Sequence, residues 1–109
     1  MADKTRQDLA RAALAEIRIL RGGEAPNAVQ EAQSNTKYDA LYAELGVQGV
    51  AVWDADAIPV AVFDPLAMLV AQRLAPSFGK EYAAGDAMLR LRIVAAKPWS
   101  GRPVRVEHI

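Results

Sequence analysis

The stretch from Phe63 to Pro76, FDPLAMLVAQRLAP, constrains the fold most, because its apolar residues cover nearly the whole circumference of a helix. Such a helix is stable only where other elements cover it on most sides. Asp64 suits the N-cap, Pro65 the first helical position and Pro76 the end, so we expect a buried helix between the two prolines. Asp64 and the prolines interrupt the apolar run, so no membrane span is expected.

The N-terminal segment predicts a first helix. Asp3 or Thr5 can cap its start, and the glycines at 22–23 are expected to stop it. The residues of its core-facing side recur at helical spacing: Leu9, Ala13, Ile17 and Leu20.

A second helix is expected to begin with Pro26 in its first turn and to end at Gly46 and Gly49. Its apolar side is divided by the polar run QSNTK, so a break near Ser34 or Asn35 is expected. The following segment, VAVWDADAIP, is predicted to be extended or looped, with Trp53 as a cap over the bundle.

The last helix is expected to start near Ser77–Lys80 and to run to about Ala96, with Gly85 inside it at a cost of about 1 kcal/mol relative to alanine. The residues expected to line its core side are Tyr82, Leu89, Ile93 and Ala96. The fold class is therefore all-α. We predict a small bundle of about four helices over residues 1–96 and an extended C-terminal arm over residues 97–109.

The arm, which includes PWSGRPVRVEHI, is too rich in proline and glycine for a helix and too polar for a core. In an extended chain, Val104, Val106 and His108 share one side, and Arg105 and Ile109 lie on the other. This alternation favours docking along a partner, whereas a frayed terminus is the alternative. Trp99 either anchors the arm in another protein, which we favour, or folds back on its own domain.

The net charge is zero, but the charges are unevenly distributed along the chain. Residues 1–22 carry five basic and three acidic side chains, residues 23–64 one and seven, and residues 65–109 seven and three. Such blocks favour association of an acidic face with a basic face on another copy or partner, or else they pair within one subunit. The candidates for inter-subunit contact are Asp54, Asp56, Arg90 and Arg92.

No catalytic constellation is visible in the sequence. The chain has no cysteine, and its one histidine, His108, lies on the arm, where no rigid site is expected to orient it. Asp54 and Asp56 are expected to form a turn rather than a cation site, because no further oxygen ligands accompany them. We therefore expect no enzyme activity, no cofactor and no metal.

A small helical DNA-binding regulator is the alternative function, because the C-terminal third is basic. The neutral total charge and the acidic middle are unlike a dedicated DNA-binding domain. Arg90 and Arg92 are two residues apart and are therefore expected on different faces of a helix.

Three stretches resemble the head-to-tail adaptor family of tailed bacteriophages, in particular the tail accessory factors, or packaged-DNA stabilisation proteins, of short-tailed phages. The stretches are TRQDLARAALAEIRIL, GVAVWDADAIP and LAMLVAQRLAPSFGKEY. The likeness runs from about Thr5 to Arg92, and its most telling parts are Asp8–Leu14 and Leu69–Pro76, followed by Tyr82. These are helix-packing patterns rather than catalytic signatures.

The resemblance implies a structural protein of the virion, present in the host cytoplasm before assembly. Members of the family are small helical bundles that form a ring, typically of twelve copies, below the portal protein. The ring extends the DNA channel, helps to retain the packaged DNA without sequence-specific binding, and gives a platform for tail proteins. The C-terminal arm packs on the portal, which makes the expected portal-binding residues Trp99, Arg102, Val104, Arg105, Val106 and Ile109.

Overall fold

A computed structural model describes residues 3–21 and 24–96 of the chain. The predicted all-α bundle is confirmed, with four α-helices and one short 3-10 turn at Ala75–Phe78 in the described residues. The helices are α1 (Arg6–Glu16), α2 (Ala28–Val47), α3 (Val60–Leu74) and α4 (Ala87–Ala96). The predicted arm at 97–109 and the two glycines at 22–23 lie outside the described residues.

Helix α3 is the centre of the bundle and packs against α1, α2 and α4. This confirms the prediction from its apolar circumference. Its buried residues lie on several sides of the helix and are Val62, Pro65, Leu66, Ala67, Leu69, Val70, Ala71 and Leu74. Among the helices that the structure describes, none combines the length and the hydrophobicity needed to cross a bilayer.

The predicted start of α3 at Asp64 and Pro65 is wrong. The helix begins at Val60 after the N-cap Pro59, and Pro65 lies inside it. Pro65 cannot donate to the carbonyl group four residues earlier, but that carbonyl belongs to Ala61, which is exposed and can bind water instead. The additional turn buries Val62 completely, which compensates for the missing hydrogen bond.

Helix α1 has the predicted cap but ends early. The Thr5 N–H donates to Asp8 Oδ2 (3.0 Å), and the Asp8 N–H donates to Thr5 Oγ1 (3.1 Å), which together form a capping box. The helix ends at Glu16 rather than at the glycines, because Arg18 takes the left-handed conformation (φ 62°) and turns the chain. Ile17 and Leu20 are nevertheless buried, as expected.

Helix α2 does not have the expected break. It is continuous from Ala28 to Val47, and Pro26 precedes its N-cap Asn27 instead of lying in the first turn. Ser34 is a buried residue within the helix, and the Thr36 hydroxyl donates to the carbonyl of Ala32 one turn earlier. The polar run is therefore accommodated in the helix rather than ending it, because the Thr36 hydroxyl bonds within the helix and Ser34 packs on its buried side.

The expected start of α4 at Ser77–Lys80 is also wrong. Irregular chain occupies residues 79–86, and the helix begins only at Ala87. Gly79 (φ 67°) and Gly85 (φ 61°) both take left-handed conformations, which a right-handed helix cannot contain. Gly85 therefore lies before the helix, and so does Tyr82.

The core-facing side of α4 differs from the expected one. Ala87 and Leu91 are fully buried against α3, whereas Leu89 is 60% exposed and Ile93 is 49% exposed. The expectation that Leu89 and Ile93 line the core is wrong, because α4 carries apolar residues on two opposite sides and the smaller side chain of Ala87 allows a close approach to α3. α4 therefore presents a second apolar side to solvent.

Candidate interaction surfaces

Trp53 is a structural residue of the bundle. Its side chain is 7% exposed, and its indole Nε1–H donates to the Tyr38 hydroxyl at 3.2 Å. The Tyr38 hydroxyl in turn donates to the carbonyl of Ala55 (2.9 Å), and the Tyr42 hydroxyl donates to the carbonyl of Trp53. The rings of Tyr42 and Trp53 meet edge to face with centroids 6.0 Å apart. The prediction that Trp53 caps the bundle is confirmed.

Burial raises the pKa of Tyr38 to about 12, although hydrogen bonding from Trp53 acts in the opposite direction. The unfolded chain has the ordinary tyrosine pKa of about 10. We therefore expect the free energy of unfolding to fall as pH rises from about 10 towards 12, because the unfolded chain gives up this proton first. Urea unfolding across that pH range measures the slope.

The matched variant for this measurement is Tyr38→Phe, which lacks the titrating hydroxyl. It is expected to be less stable at neutral pH by about 1–3 kcal/mol, because the Trp53 N–H loses its acceptor. Its stability should also depend less steeply on pH above 10. Parallel pH profiles for the two proteins would show that Tyr38 ionises in the folded state as easily as in the unfolded chain.

The loop around Trp53 is joined to the start of α1. Lys4 and Ile58 exchange two backbone hydrogen bonds, each 2.8 Å long, in an isolated antiparallel bridge. The Arg6 guanidinium binds Asp56 in this loop and Asp39 on α2 (2.7 Å), and it lies over the Tyr38 ring at 5.1 Å from the centroid. Arg6 therefore connects α1, α2 and the loop, and the two carboxylates raise its pKa.

Asp54 and Asp56 form a turn, as predicted. Asp54 Oδ1 accepts a hydrogen bond from the Asp56 backbone N–H at 2.8 Å. Across residues 3–21 and 24–96, the structure shows no group of three or more metal-ligating side chains. Asp56 is already paired with Arg6 in the same chain, and the inter-subunit role of both aspartates stays a prediction.

Intramolecular pairing accounts for part of the uneven charge distribution. The ion pairs in the described part of the chain all connect the acidic middle to the basic ends, through Arg6 with Asp39 and Asp56, and through Arg73 with Glu44. The last pair is bidentate, with both N–O distances at 2.8 Å, and the hydrogen bonds from Arg73 lower the pKa of Glu44.

Arg90 and Arg92 point to different sides of α4, as their spacing predicts. Arg90 Nη1 lies 3.5 Å from the sulfur atom of Met68 on α3, whereas Arg92 Nη2 donates to Gln48 Oε1 at 2.8 Å. The two side chains therefore do not form one basic recognition surface. They lie on either side of the exposed Leu89 and Ile93.

We call these four residues of α4 the α4 face. Leu89 and Ile93 are one turn apart and lie opposite the buried Ala87 and Leu91, so both project away from α3. The sequence does contain the signal for this surface, because α4 has apolar residues at helical spacing on both sides. The spacing alone does not show which of the two sides faces the core.

The outward side of α2 is a second exposed apolar surface, which we call the α2 face. It extends along the whole helix, about 30 Å at the usual helical rise. Its exposed members are small or β-branched residues at helical spacing: Ala28, Val29, Ala32, Thr36, Ala40, Ala43, Gly46 and Val47. The carboxylate of Glu31 borders it on one side and that of Glu44 on the other, where the partly exposed Lys37 also lies, and the exposed Asp39 lies within it. A helix that breaks near Ser34, as the sequence led us to expect, would not present this continuous face.

Comparisons of the chain with protein-family models, with curated proteins and with solved structures found no match. The candidate portal-binding residues all lie in the arm, outside the residues that the structure describes: Trp99, Arg102, Val104, Arg105, Val106 and Ile109. Their role stays a prediction.

Proposed function

We propose that this chain is a structural virion protein, a head-to-tail adaptor without enzymatic activity. Copies of it form a ring below the portal protein of a tailed phage or phage-derived particle. The ring extends the DNA channel, retains the packaged genome and gives tail proteins a platform, while the DNA passes through without sequence-specific binding.

The α4 face is the observation that carries the proposal. An adaptor binds other polypeptides, and burial of apolar side chains is the main favourable contribution to such association. Leu89 and Ile93 remain exposed on a helix that packs on α3 alone among the helices of the described residues. α4 also leads directly into residues 97–109, the segment that we expect to bind the portal.

The residues that carry the resemblance support the bundle beneath these surfaces. Asp8–Leu14 lies within α1, where Leu9 and Leu14 are fully buried against the core. Leu69–Pro76 covers the second half of α3 and the start of the 3-10 turn. The Tyr82 hydroxyl donates to Glu16 Oε1 at 2.6 Å and joins the following segment to the end of α1.

Deletion of residues 98–109 tests the proposal. The shortened chain is expected to keep its helical circular dichroism and thermal midpoint, because the described core ends before the deleted segment. It should no longer bind the portal protein of the same particle, as measured by co-sedimentation. The matched control carries the same twelve residues in scrambled order, which keeps composition and charge but destroys the alternation.

Two outcomes would contradict the proposal. One is equal portal binding by the full-length, shortened and scrambled chains. The other is sequence-specific DNA binding in a gel shift that persists as salt is raised, because that result would favour the regulator instead.

A further inference from the structure

We propose that the α4 face of one copy docks on the α2 face of the next copy. The contact rests on the proposed function, since it would join neighbouring subunits of the ring. This inference specifies which two surfaces meet, whereas the adaptor role alone does not specify them.

The two faces complement each other in shape. The α4 face projects two large side chains one turn apart, Leu89 and Ile93, whereas the α2 face offers alanines and a glycine. Small residues along a helix leave a shallow groove into which large side chains of another helix can pack. α2 offers this groove over 20 residues, so the 10 described residues of α4 fit along it.

The charges around the two faces are also complementary. In the α4 face, Arg90 and Arg92 lie on either side of Leu89 and Ile93. The α2 face contains Asp39 and is bordered by Glu31 and Glu44, and these three carboxylates outnumber the one cation of α2, Lys37. The side chain of Asp39 is 60% exposed and that of Glu44 is 54% exposed, so both keep oxygen atoms accessible despite their pairs with Arg6 and Arg73. Arginine is also the cation most suited to such interfaces.

The same charges disfavour contact between two identical faces. Two α4 faces would bring Arg90 and Arg92 against their own copies, and two α2 faces would bring carboxylates together. The favoured contact is therefore heterologous, with different surfaces on the two sides. Heterologous contacts close into rings or extend as open chains, depending on the rotation between neighbours.

Two blocked variants of the full chain test this contact. Leu89→Ala with Ile93→Ala removes the two large side chains of the α4 face, and Ala40→Lys with Ala43→Lys places long cations in the α2 face. The matched controls are Gln7→Ala and Ala15→Lys, which are exposed positions on α1, a helix that belongs to neither face. Circular dichroism and thermal unfolding establish that all four proteins fold.

Sedimentation velocity over a concentration series gives the readout. The wild type and both controls should self-associate, and each blocked variant alone should associate at least about 30-fold more weakly. An equal mixture of the two blocked variants should form one-to-one complexes and nothing larger. Each complex uses the intact α2 face of one variant and the intact α4 face of the other.

Several results would overturn the contact. A wild type that stays monomeric up to about 1 mM lacks it, because even a weak interface is populated at that concentration. Self-association of either blocked variant at the wild-type level shows that a different surface is used, and so does an equal mixture that forms no complex. No portal protein is present in the assay, so unchanged portal binding after the deletion of residues 98–109 would contradict the adaptor role and still leave this contact standing.

Discussion

Replacing Leu66 by alanine should lower the free energy of unfolding by about 2–5 kcal/mol, the range for a buried leucine truncated in a packed core. Leu66 is fully buried at the middle of α3, the helix on which α1, α2 and α4 all pack. The truncation leaves a cavity between several helices, and these cannot close around it independently. In a domain of this size, that loss is a large fraction of the total stability.

Leu89→Ala is the matched control, because it makes the same chemical change on an exposed side of α4. Its effect on stability should stay within about 0.5 kcal/mol. Urea unfolding followed by circular dichroism measures both variants. Equal losses for Leu66→Ala and Leu89→Ala would show that α3 is not the centre of the core.

Replacing Trp53 by alanine should cost about 3–5 kcal/mol, as large as any single truncation in this chain. The change removes the indole that packs on Tyr42, and it leaves the Tyr38 hydroxyl without its hydrogen-bond donor. The loop between α2 and α3 would also lose the side chain that holds it on the bundle.

The tryptophan content allows a spectroscopic check of the same site. The chain has two tryptophans, so in a Trp99→Phe variant the fluorescence reports Trp53 alone. We expect emission typical of a buried indole and a red shift on unfolding, since Trp53 is 7% exposed. Emission typical of a solvated indole before unfolding would contradict the burial of Trp53.

Helix number and the buried central helix could be predicted from the sequence because both depend on apolar periodicity. The run around Leu66 is apolar on most sides, and such a helix is stable where other helices surround it. The Thr5 cap was also predictable, because capping is a local interaction between residues three apart.

Helix boundaries were less predictable where local preference and packing disagree. Pro65 is typical of a first helical position, but burial of Val62 moves the start of α3 one turn further back. α1 ends because Arg18 takes a left-handed conformation. An arginine in the sequence does not signal that conformation. Both outcomes depend on contacts between elements, which periodicity along one element does not contain.

The two exposed faces were missed for a related reason. Periodicity shows that a helix has an apolar side, but α4 has two, and only packing on α3 selects Ala87 and Leu91 for the inside. On α2, alanines are compatible with burial and with exposure, so their pattern does not distinguish the two. The structure was needed to show which sides remain uncovered.

The contacts that hold the loop between α2 and α3 determine where residues can be inserted into this chain. The loop is held by the Lys4–Ile58 bridge, by the hydroxyls of Tyr38 and Tyr42, and by Arg6. An insertion there would break several of these bonds together. Around Lys80 and Glu81, by contrast, the chain is exposed and irregular. A tag or a fluorescent label is therefore best placed on that turn, where it leaves the anchored loop intact.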